Sequence, residues 1–223
     1  MEGAPRGVTR LAPVVLEGPA GKLEGLLHER QGHTPEVAAI VCHPHPLHGG
    51  TLHNKVVHRV AASFHDPLGA AVLRFNFRGV GGSEGKFDHG VGELEDARSA
   101  LAFLRRRYPG TRLWVAGFSF GAWVAARLAA SEPGIERLVL IAPPVRSSSF
   151  EVLRAASVWK LIVQGTRDEV CPLADLECEW MTWAQPRRLI LIEGATHFFD
   201  RQLGALAEAL VQTLGDPIKG ATS

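Results

Sequence analysis

Six short, strongly apolar segments alternate with longer helical patterns along this chain, and this alternation limits the fold more than any other feature. The near-continuous Val, Ile and Leu of these segments are typical of strands covered on both faces. Strands that alternate with helices build βαβ units, so the pattern predicts an α/β fold around a mostly parallel sheet. The segments are EVAAIVCH (36–43), AAVLRFNF (70–77), TRLWVAGF (111–118), IERLVLIA (135–142), WKLIVQG (159–165) and RRLILIEG (187–194).

Two further segments near the start, APVVLEG and KLEGLLHE, meet at the Gly-Pro-Ala-Gly turn at 18–21 and predict an antiparallel hairpin. The chain of 223 residues is expected to form one domain, 1–223, with loosely held ends at 1–10 and 215–223. Pro and Gly after the third helix, and Pro at the start of the fourth, fit these boundaries. The expected helices lie at roughly 52–65, 90–107, 120–131, 172–184 and 199–214.

Charge and cysteine content exclude several classes of protein. With 24 Lys and Arg against 23 Asp and Glu, the net charge of +1 offers no basic excess for nucleic acid. Cys42, Cys171 and Cys178 are odd in number and share no CxxC spacing, so we expect free thiols in a reducing compartment. Residues 1–20 show no secretory pattern, and no stretch approaches the ~20 apolar residues of a membrane span. We therefore expect a cytoplasmic protein.

The stretch AGFSFG, residues 116–121, places a serine between two glycines just after the third apolar segment. A serine on a sharp strand–turn–helix bend projects its hydroxyl above the sheet. A side chain two residues to either side would collide with that bend, and Gly117 and Gly121 remove the collision. We interpret Ser119 as a nucleophile rather than as part of an ordinary tight turn.

Three motifs together resemble one family. GFSFG at a strand-to-helix junction resembles the nucleophile elbow of the α/β-hydrolase superfamily. HPHPLHGGTLHNKVV (43–57) and FNFRGVGGSEG (75–85) resemble its small bacterial serine hydrolases without a lid, often called carboxylesterase-like. The resemblance runs from about 14 to 214. It implies an α/β-hydrolase fold with an antiparallel N-terminal hairpin, helices on both faces and no cap domain.

In that superfamily the acid and then the histidine follow the serine. His197, in EGATHFF, is the one histidine after Ser119, and Asp168 follows a strand in GTRDEVCP. We therefore predict a triad of Ser119, Asp168 and His197. The family pattern leads us to expect GADHFF, and Thr196 departs from it.

Other assignments of these positions remain open. Glu169 and Asp175 are rival acids, and Glu193 is a weaker one. Asp168 alternatively caps the helix that begins near 172, and His197 alternatively is an ordinary loop histidine.

The oxyanion of an acyl-transfer intermediate needs two backbone donors. The resemblance implies that one is the N–H of Phe120. The other should come from HPHPL, where Pro44 and Pro46 have no N–H. This favours His45, with Leu47 as the second choice.

We predict no metal and no cofactor. The loop carries a histidine cluster, but no Cys or carboxylate joins it at zinc-like spacing, so we expect His43 to shape the loop by hydrogen bonding. GVGGSEG (79–85) fails the dinucleotide pattern GxGxxG because position 84 is glutamate. The histidines in question are His43, His45, His48, His53 and His58.

The predicted activity is hydrolysis of small-molecule carboxylic esters by a monomer or weak homo-oligomer. Only a short helix near 149–156 fits before the next strand, so the open site should prefer short acyl groups. Trp123 either lines a pocket or, as we favour, packs in a buried helix face. A peptidase, amidase or acyltransferase would use the same triad, and a catalytically silent binding protein would keep the fold. Dienelactone-type hydrolases ordinarily carry cysteine at the nucleophile position, and haloalkane dehalogenases carry aspartate there.

Overall fold

The computed structural model describes residues 8–215, in which eight strands form one sheet in the order β1-β2-β4-β3-β5-β6-β7-β8. The hairpin pair β1–β2 and the pair β2–β4 are antiparallel, and every other neighbouring pair is parallel. The predicted α/β-hydrolase fold is confirmed. The strands are β1 Thr9–Gly18, β2 Gly21–Arg30, β3 Val37–Cys42, β4 Ala71–Phe75, β5 Arg112–Phe118, β6 Ile135–Ile141, β7 Trp159–Gly165 and β8 Arg187–Ile192.

Helices cover both faces of the sheet. Successive residues of β3 point alternately into two apolar clusters, as the two-residue period of a strand requires. One cluster holds apolar side chains of α2, α3 and α4, and the other holds those of α1 and α5. The helices are α1 Lys55–His65, α2 Val91–Arg107, α3 Phe120–Ser131, α4 Leu173–Trp180 and α5 Leu203–Gly215. None of these helices is long and apolar enough to cross a membrane.

Three helix boundaries differ from the sequence expectation by three residues or more, each for a local reason. The first helix begins at Lys55 rather than near 52 because the side chain of Asn54 accepts hydrogen bonds from the first free N–H groups. The fourth ends at Trp180 because Trp183 is buried and stacks on Phe150 instead. The fifth starts late because Phe199 has φ +52°, a conformation that a helix does not accept.

The chain ends are only partly covered by the described residues. Thr9 and Arg10 begin β1 at the near end of the segment 1–10 that was expected to be loosely held. Gly215 closes α5. The rest of that expectation, at 1–7 and 216–223, lies outside the described residues.

The parallel strands β3, β5, β7 and β8 all end at the same edge of the sheet. In open α/β sheets, ligands bind at the carboxyl ends of the strands. The loops after these four strands carry every residue that the sequence singled out for catalysis.

Candidate active site

Ser119 occupies a strained turn between β5 and α3. Its φ of +53° and ψ of −121° are unusual for a residue with a side chain and cost on the order of 1–3 kcal/mol. Its N–H is held by the carbonyl of Ile141 at 2.9 Å. A Cβ on Gly117 would lie 2.0 Å from the Gly121 oxygen, and one on Gly121 would lie 2.3 Å from the Cys42 oxygen. The steric role predicted for both glycines is confirmed.

Asp168 and His197 are joined by a hydrogen bond between loops that are 29 residues apart. His197 Nδ1 lies 2.8 Å from Asp168 Oδ2, and both residues are buried. Because a carboxylate oxygen only accepts, Nδ1 must carry the proton and Nε2 must hold the free lone pair. The imidazole is therefore fixed in the tautomer that can accept a proton at Nε2.

Four donors hold the Asp168 carboxylate in place. Oδ1 accepts the N–H groups of Val170 at 2.9 Å and Cys171 at 2.7 Å. Oδ2 accepts Nε2 of Gln164 at 3.1 Å in addition to His197. Such a network orients the carboxylate and rules out a mere helix-capping role, since α4 begins only at Leu173.

The rival carboxylates are engaged or exposed elsewhere. Asp175 pairs with Arg146 at 2.8 Å. Glu169 and Glu193 are exposed side chains, and Glu193 follows the end of β8 rather than lying within it. Among the acids weighed from the sequence, Asp168 alone is hydrogen-bonded to His197 within residues 8–215.

Cys171 and Phe118 connect this pair to Ser119. The Ser119 hydroxyl lies near enough to the thiol of Cys171 to lower its pKa, and the backbone N–H of Cys171 donates to Asp168. Burial is the largest cause that raises the pKa of this thiol, to about 12, so it remains protonated. The ring of Phe118, adjacent to Ser119, lies 4.9 Å from the imidazole of His197. Serine, thiol, carboxylate and imidazole thus belong to one cluster.

Two members of this cluster were missed by sequence reasoning. Gln164 lies in the apolar strand segment KLIVQG, and its polar side chain is the only feature of the sequence that indicates a further role. Its amide also donates to the Cys171 carbonyl at 2.7 Å, which braces the turn that carries Asp168. Cys171 was counted only as a free thiol, and all three cysteines are indeed unpaired.

His43 has the loop-shaping role that the sequence predicted. Its Nε2 accepts the N–H of Phe77 at 3.0 Å, so Nδ1 carries the proton and donates to the Pro44 carbonyl at 2.7 Å. Burial lowers the pKa of this imidazole to about 4, which keeps it neutral. With both nitrogens occupied, His43 ties the loop after β3 to the loop after β4.

The loop after β3 lies against the start of α3. The rings of His45 and Phe120 are 5.0 Å apart, which brings the two predicted oxyanion residues together. The N–H of Leu47, the second choice, donates to His45 Nδ1 at 3.2 Å. For the backbone N–H of His45, no hydrogen bond is found within the described residues.

Trp123 is half-buried and lines a surface pocket of about 480 Å³, so the favoured expectation of a buried helix position is wrong. Its Nε1 donates to the Ser149 carbonyl at 2.9 Å, and Arg127 stacks on its ring. Trp123 follows Ser119 by one helical turn, so the pocket begins one turn along α3 from the serine. A larger pocket of about 650 Å³ lies around the start of β6 and β7, at the opposite edge of the sheet.

Fold, elbow and acid–histidine pair together define a lidless α/β hydrolase. The sequence matches the family described as serine aminopeptidase, S33, over residues 36–178, and the chain belongs to this family. Uncharacterized protein RP471 of Rickettsia prowazekii (strain Madrid E) is 36% identical over 206 residues, covering 88% of this chain and 86% of that protein.

Solved structures agree with this assignment. An alpha-beta serine hydrolase homologue from Coxiella burnetii is 40% identical with a TM-score of 0.86, covering 91% of this chain and 97% of its own. XC6422 from Xanthomonas campestris, described as a serine hydrolase without lid, is 37% identical with a TM-score of 0.85. The match covers 95% of this chain and 97% of XC6422. Est1E from Butyrivibrio proteoclasticus, with ferulic acid bound, shares the fold with a TM-score of 0.81 at 19% identity. The match covers 90% of this chain and 97% of Est1E.

Proposed function

We propose that this protein hydrolyses carboxylic esters through a triad of Ser119, His197 and Asp168 and an acyl-enzyme intermediate. The observation that carries the proposal is the 2.8 Å bond from His197 to Asp168, beside a serine held at positive φ. In the proposed reaction, Nε2 of His197 takes the hydroxyl proton while Ser119 Oγ attacks the ester carbonyl. His197 then gives the proton to the leaving alcohol, and water, activated in the same way, releases the acid.

Asp168 supports this chemistry by holding the imidazole and by stabilising the imidazolium that forms. Its carboxylate is itself fixed by Gln164 and by two backbone N–H groups. The geometry is therefore prepared before substrate arrives, which lowers the cost of reaching the transition state.

The oxyanion is proposed to lie between the N–H groups of Phe120 and His45. Phe120 is the first residue of α3, where N–H groups lack intrahelical partners and the helix dipole favours negative charge. The N–H of Leu47 already donates to the His45 ring, which supports His45 as the second donor. His45 has φ −54° and follows the end of β3 by three residues.

Short acyl groups are the proposed preference. Between β6 and β7, residues 142–158 contain a single short 3₁₀ turn, Glu151–Arg154, and no lid. The pocket beside Trp123 is open to solvent on the side of the exposed Val91 and Val152. An open pocket would leave much of a long acyl chain in contact with water, so extra acyl length would add little to binding. All proposed residues come from one chain, so a monomer or weak homo-oligomer suffices.

The description of the family supports a second candidate, an aminopeptidase or amidase that uses the same three residues. Amide hydrolysis needs the same nucleophile, base and oxyanion donors. The two candidates differ in the leaving group, an alcohol or an amine.

A panel of p-nitrophenyl esters of graded acyl length, run beside amino-acid p-nitroanilides, tests both candidates. We expect turnover of the acetate and butyrate esters, little of the long-chain esters, and less of the anilides. Ser119→Ala should lower kcat/KM by on the order of 10⁶-fold. Unchanged turnover in Ser119→Ala would remove the proposal, and faster anilide turnover would favour the peptidase.

A further inference from the structure

The active site contains a thiol that the proposed reaction does not use. The Sγ of Cys171, a ring nitrogen of His197 and a carboxylate oxygen of Asp168 all lie within 4.8 Å of one another. All three residues are buried. Within residues 8–215, this is the only group of three or more His, Cys, Asp or Glu side chains so placed.

We propose that this cluster is an inhibitory site for a thiophilic divalent cation, Zn²⁺ or Cd²⁺, held by Cys171, His197 and Asp168. Sulfur, imidazole and carboxylate ligands are the set that such cations accept, whereas Mg²⁺ and Ca²⁺ prefer oxygen alone. A bound thiolate and carboxylate carry two negative charges, which neutralise the cation in a site shielded from water.

The spacing of the three ligand atoms is close to that of a metal site. Zinc lies about 2.0–2.3 Å from N, O and S ligands, so tetrahedral ligand atoms are about 3.5 Å apart. The separations between the ligand atoms, at most 4.8 Å, need to shorten by no more than about 1.3 Å. Cys171 lies in the turn between β7 and α4, outside both elements, so closing this distance does not require a strand to move.

The fourth position of the cation falls near Ser119. The hydroxyl of Ser119 lies near enough to the Cys171 thiol to lower its pKa, so Ser119 borders the site. Zinc sites with three protein ligands commonly leave the fourth position to water or to an added ligand.

Binding exchanges one proton for the cation. The S–H bond of Cys171 breaks, the S–Zn bond forms, and the proton passes to solvent. Coordination through Nδ1 of His197 moves the proton that Nδ1 now donates to Asp168 onto Nε2, so the imidazole stays neutral and the net release remains one proton. The imidazole of His197 and the carboxylate of Asp168 then coordinate the cation and are no longer available to the triad. Inhibition of hydrolysis rests on the proposed function, whereas metal binding itself does not.

Optical titration of the metal-free protein with Cd²⁺, in the absence of chelators, tests the binding. Wild type should give a saturable thiolate-to-Cd²⁺ absorption band at one equivalent. Cys178→Ser, which removes an exposed thiol on α4, is the matched control and should keep the band. Cys171→Ser should lose it, with affinity for Cd²⁺ at least about tenfold weaker.

Activity gives the second readout. Zn²⁺ should inhibit ester hydrolysis by wild type and by Cys178→Ser, and EDTA should restore it, while Cys171→Ser should need at least about tenfold more Zn²⁺. Inhibition that survives unchanged in Cys171→Ser would overturn the proposal and point to the stacked rings of His45 and His48.

The absence of the Cd²⁺ band in the wild-type protein would by itself overturn the proposal. The proposal can therefore be tested even if Cys171→Ser folds poorly. Cys171→Ala provides a second substitution in that case. If the protein hydrolyses no ester, the optical titration still decides whether the cation binds.

Discussion

His43 and His197 are both buried histidines beside the carboxyl edge of the sheet, and they differ in how their nitrogens are used. His43 directly follows β3, and the Pro44 carbonyl and the Phe77 N–H occupy its two nitrogens. His197 follows β8, and Asp168 occupies Nδ1. For Nε2 of His197, no hydrogen bond is found in the described part of the chain.

The comparison teaches that burial alone does not make a histidine catalytic. A histidine with hydrogen-bond partners on both nitrogens has a structural role, and His43 connects two loops in this way. A ring with one partner that orients it and one free nitrogen can accept a proton. The difference lies in the hydrogen bonds, and single substitutions can separate the two roles.

The largest expected effect is the loss of activity in His197→Gln. Without the imidazole, the serine has no base, so kcat/KM should fall by on the order of 10⁴–10⁶-fold. His43→Gln is the matched control and should lower the free energy of unfolding by about 1–3 kcal/mol, because a buried partner is left unsatisfied. Ester kinetics and urea unfolding of both variants measure this. A folded His43→Gln as inactive as His197→Gln would contradict the comparison.

The next effect concerns the group that orients His197. Asp168→Asn should lower kcat by on the order of 10⁴-fold, because an amide does not hold the required tautomer. Asp175→Asn, the rival acid paired with Arg146, should remain near wild type. Steady-state kinetics of the two variants decide between them. If Asp175→Asn lost more activity than Asp168→Asn, Asp175 and not Asp168 would be the acid of the triad.

A smaller effect should follow from the loss of one oxyanion donor. His45 has φ −54°, which proline accepts, so His45→Pro removes the N–H with little change in the backbone. We expect kcat to fall by about 10²–10³-fold. His45→Ala also loses the ring but keeps the N–H, so it should lose much less. Equal kcat values for the two variants would remove His45 from the oxyanion site.

The smallest effect is on stability at acid pH. The pKa of His43 is lowered by burial to about 4, below the usual 6.5, so the unfolded chain binds this proton more readily. Its contribution is present above pH 6.5 and is lost as the pH falls towards 4, by about 3 kcal/mol. Denaturant unfolding across this range should show a shallower decline in His43→Gln. An equal slope in both proteins would assign the acid loss to other groups, such as His28, whose pKa is also lowered to about 4.

The sequence predicted the strands and the elbow because their signals are local. The apolar runs predict the ends of β3 to β8 within two residues. Gly117 and Gly121 indicate the bend around Ser119. Asp168 and His197 were predicted from chain order, since loops at one edge of a parallel sheet meet. Helix ends were less predictable, because the start of α5 depends on backbone angles at Phe199 that no residue type dictates.

The side-chain surroundings of the site could not be read from the sequence. Gln164 and Cys171 contact Asp168 through a turn whose shape is set by packing, not by a motif. Trp123 was expected to be buried, but the absence of a cap between β6 and β7 leaves its ring in a pocket wall. Both depend on contacts between distant segments.

The most direct measurement of the central claim is the site of labelling by a fluorophosphonate, which reacts fast only with an activated serine. Mass spectrometry of the digested protein should place one adduct on Ser119, and His197→Gln should label at least about 100-fold more slowly because its serine lacks a base. A label on another residue, or equal labelling rates in wild type and His197→Gln, would contradict the account.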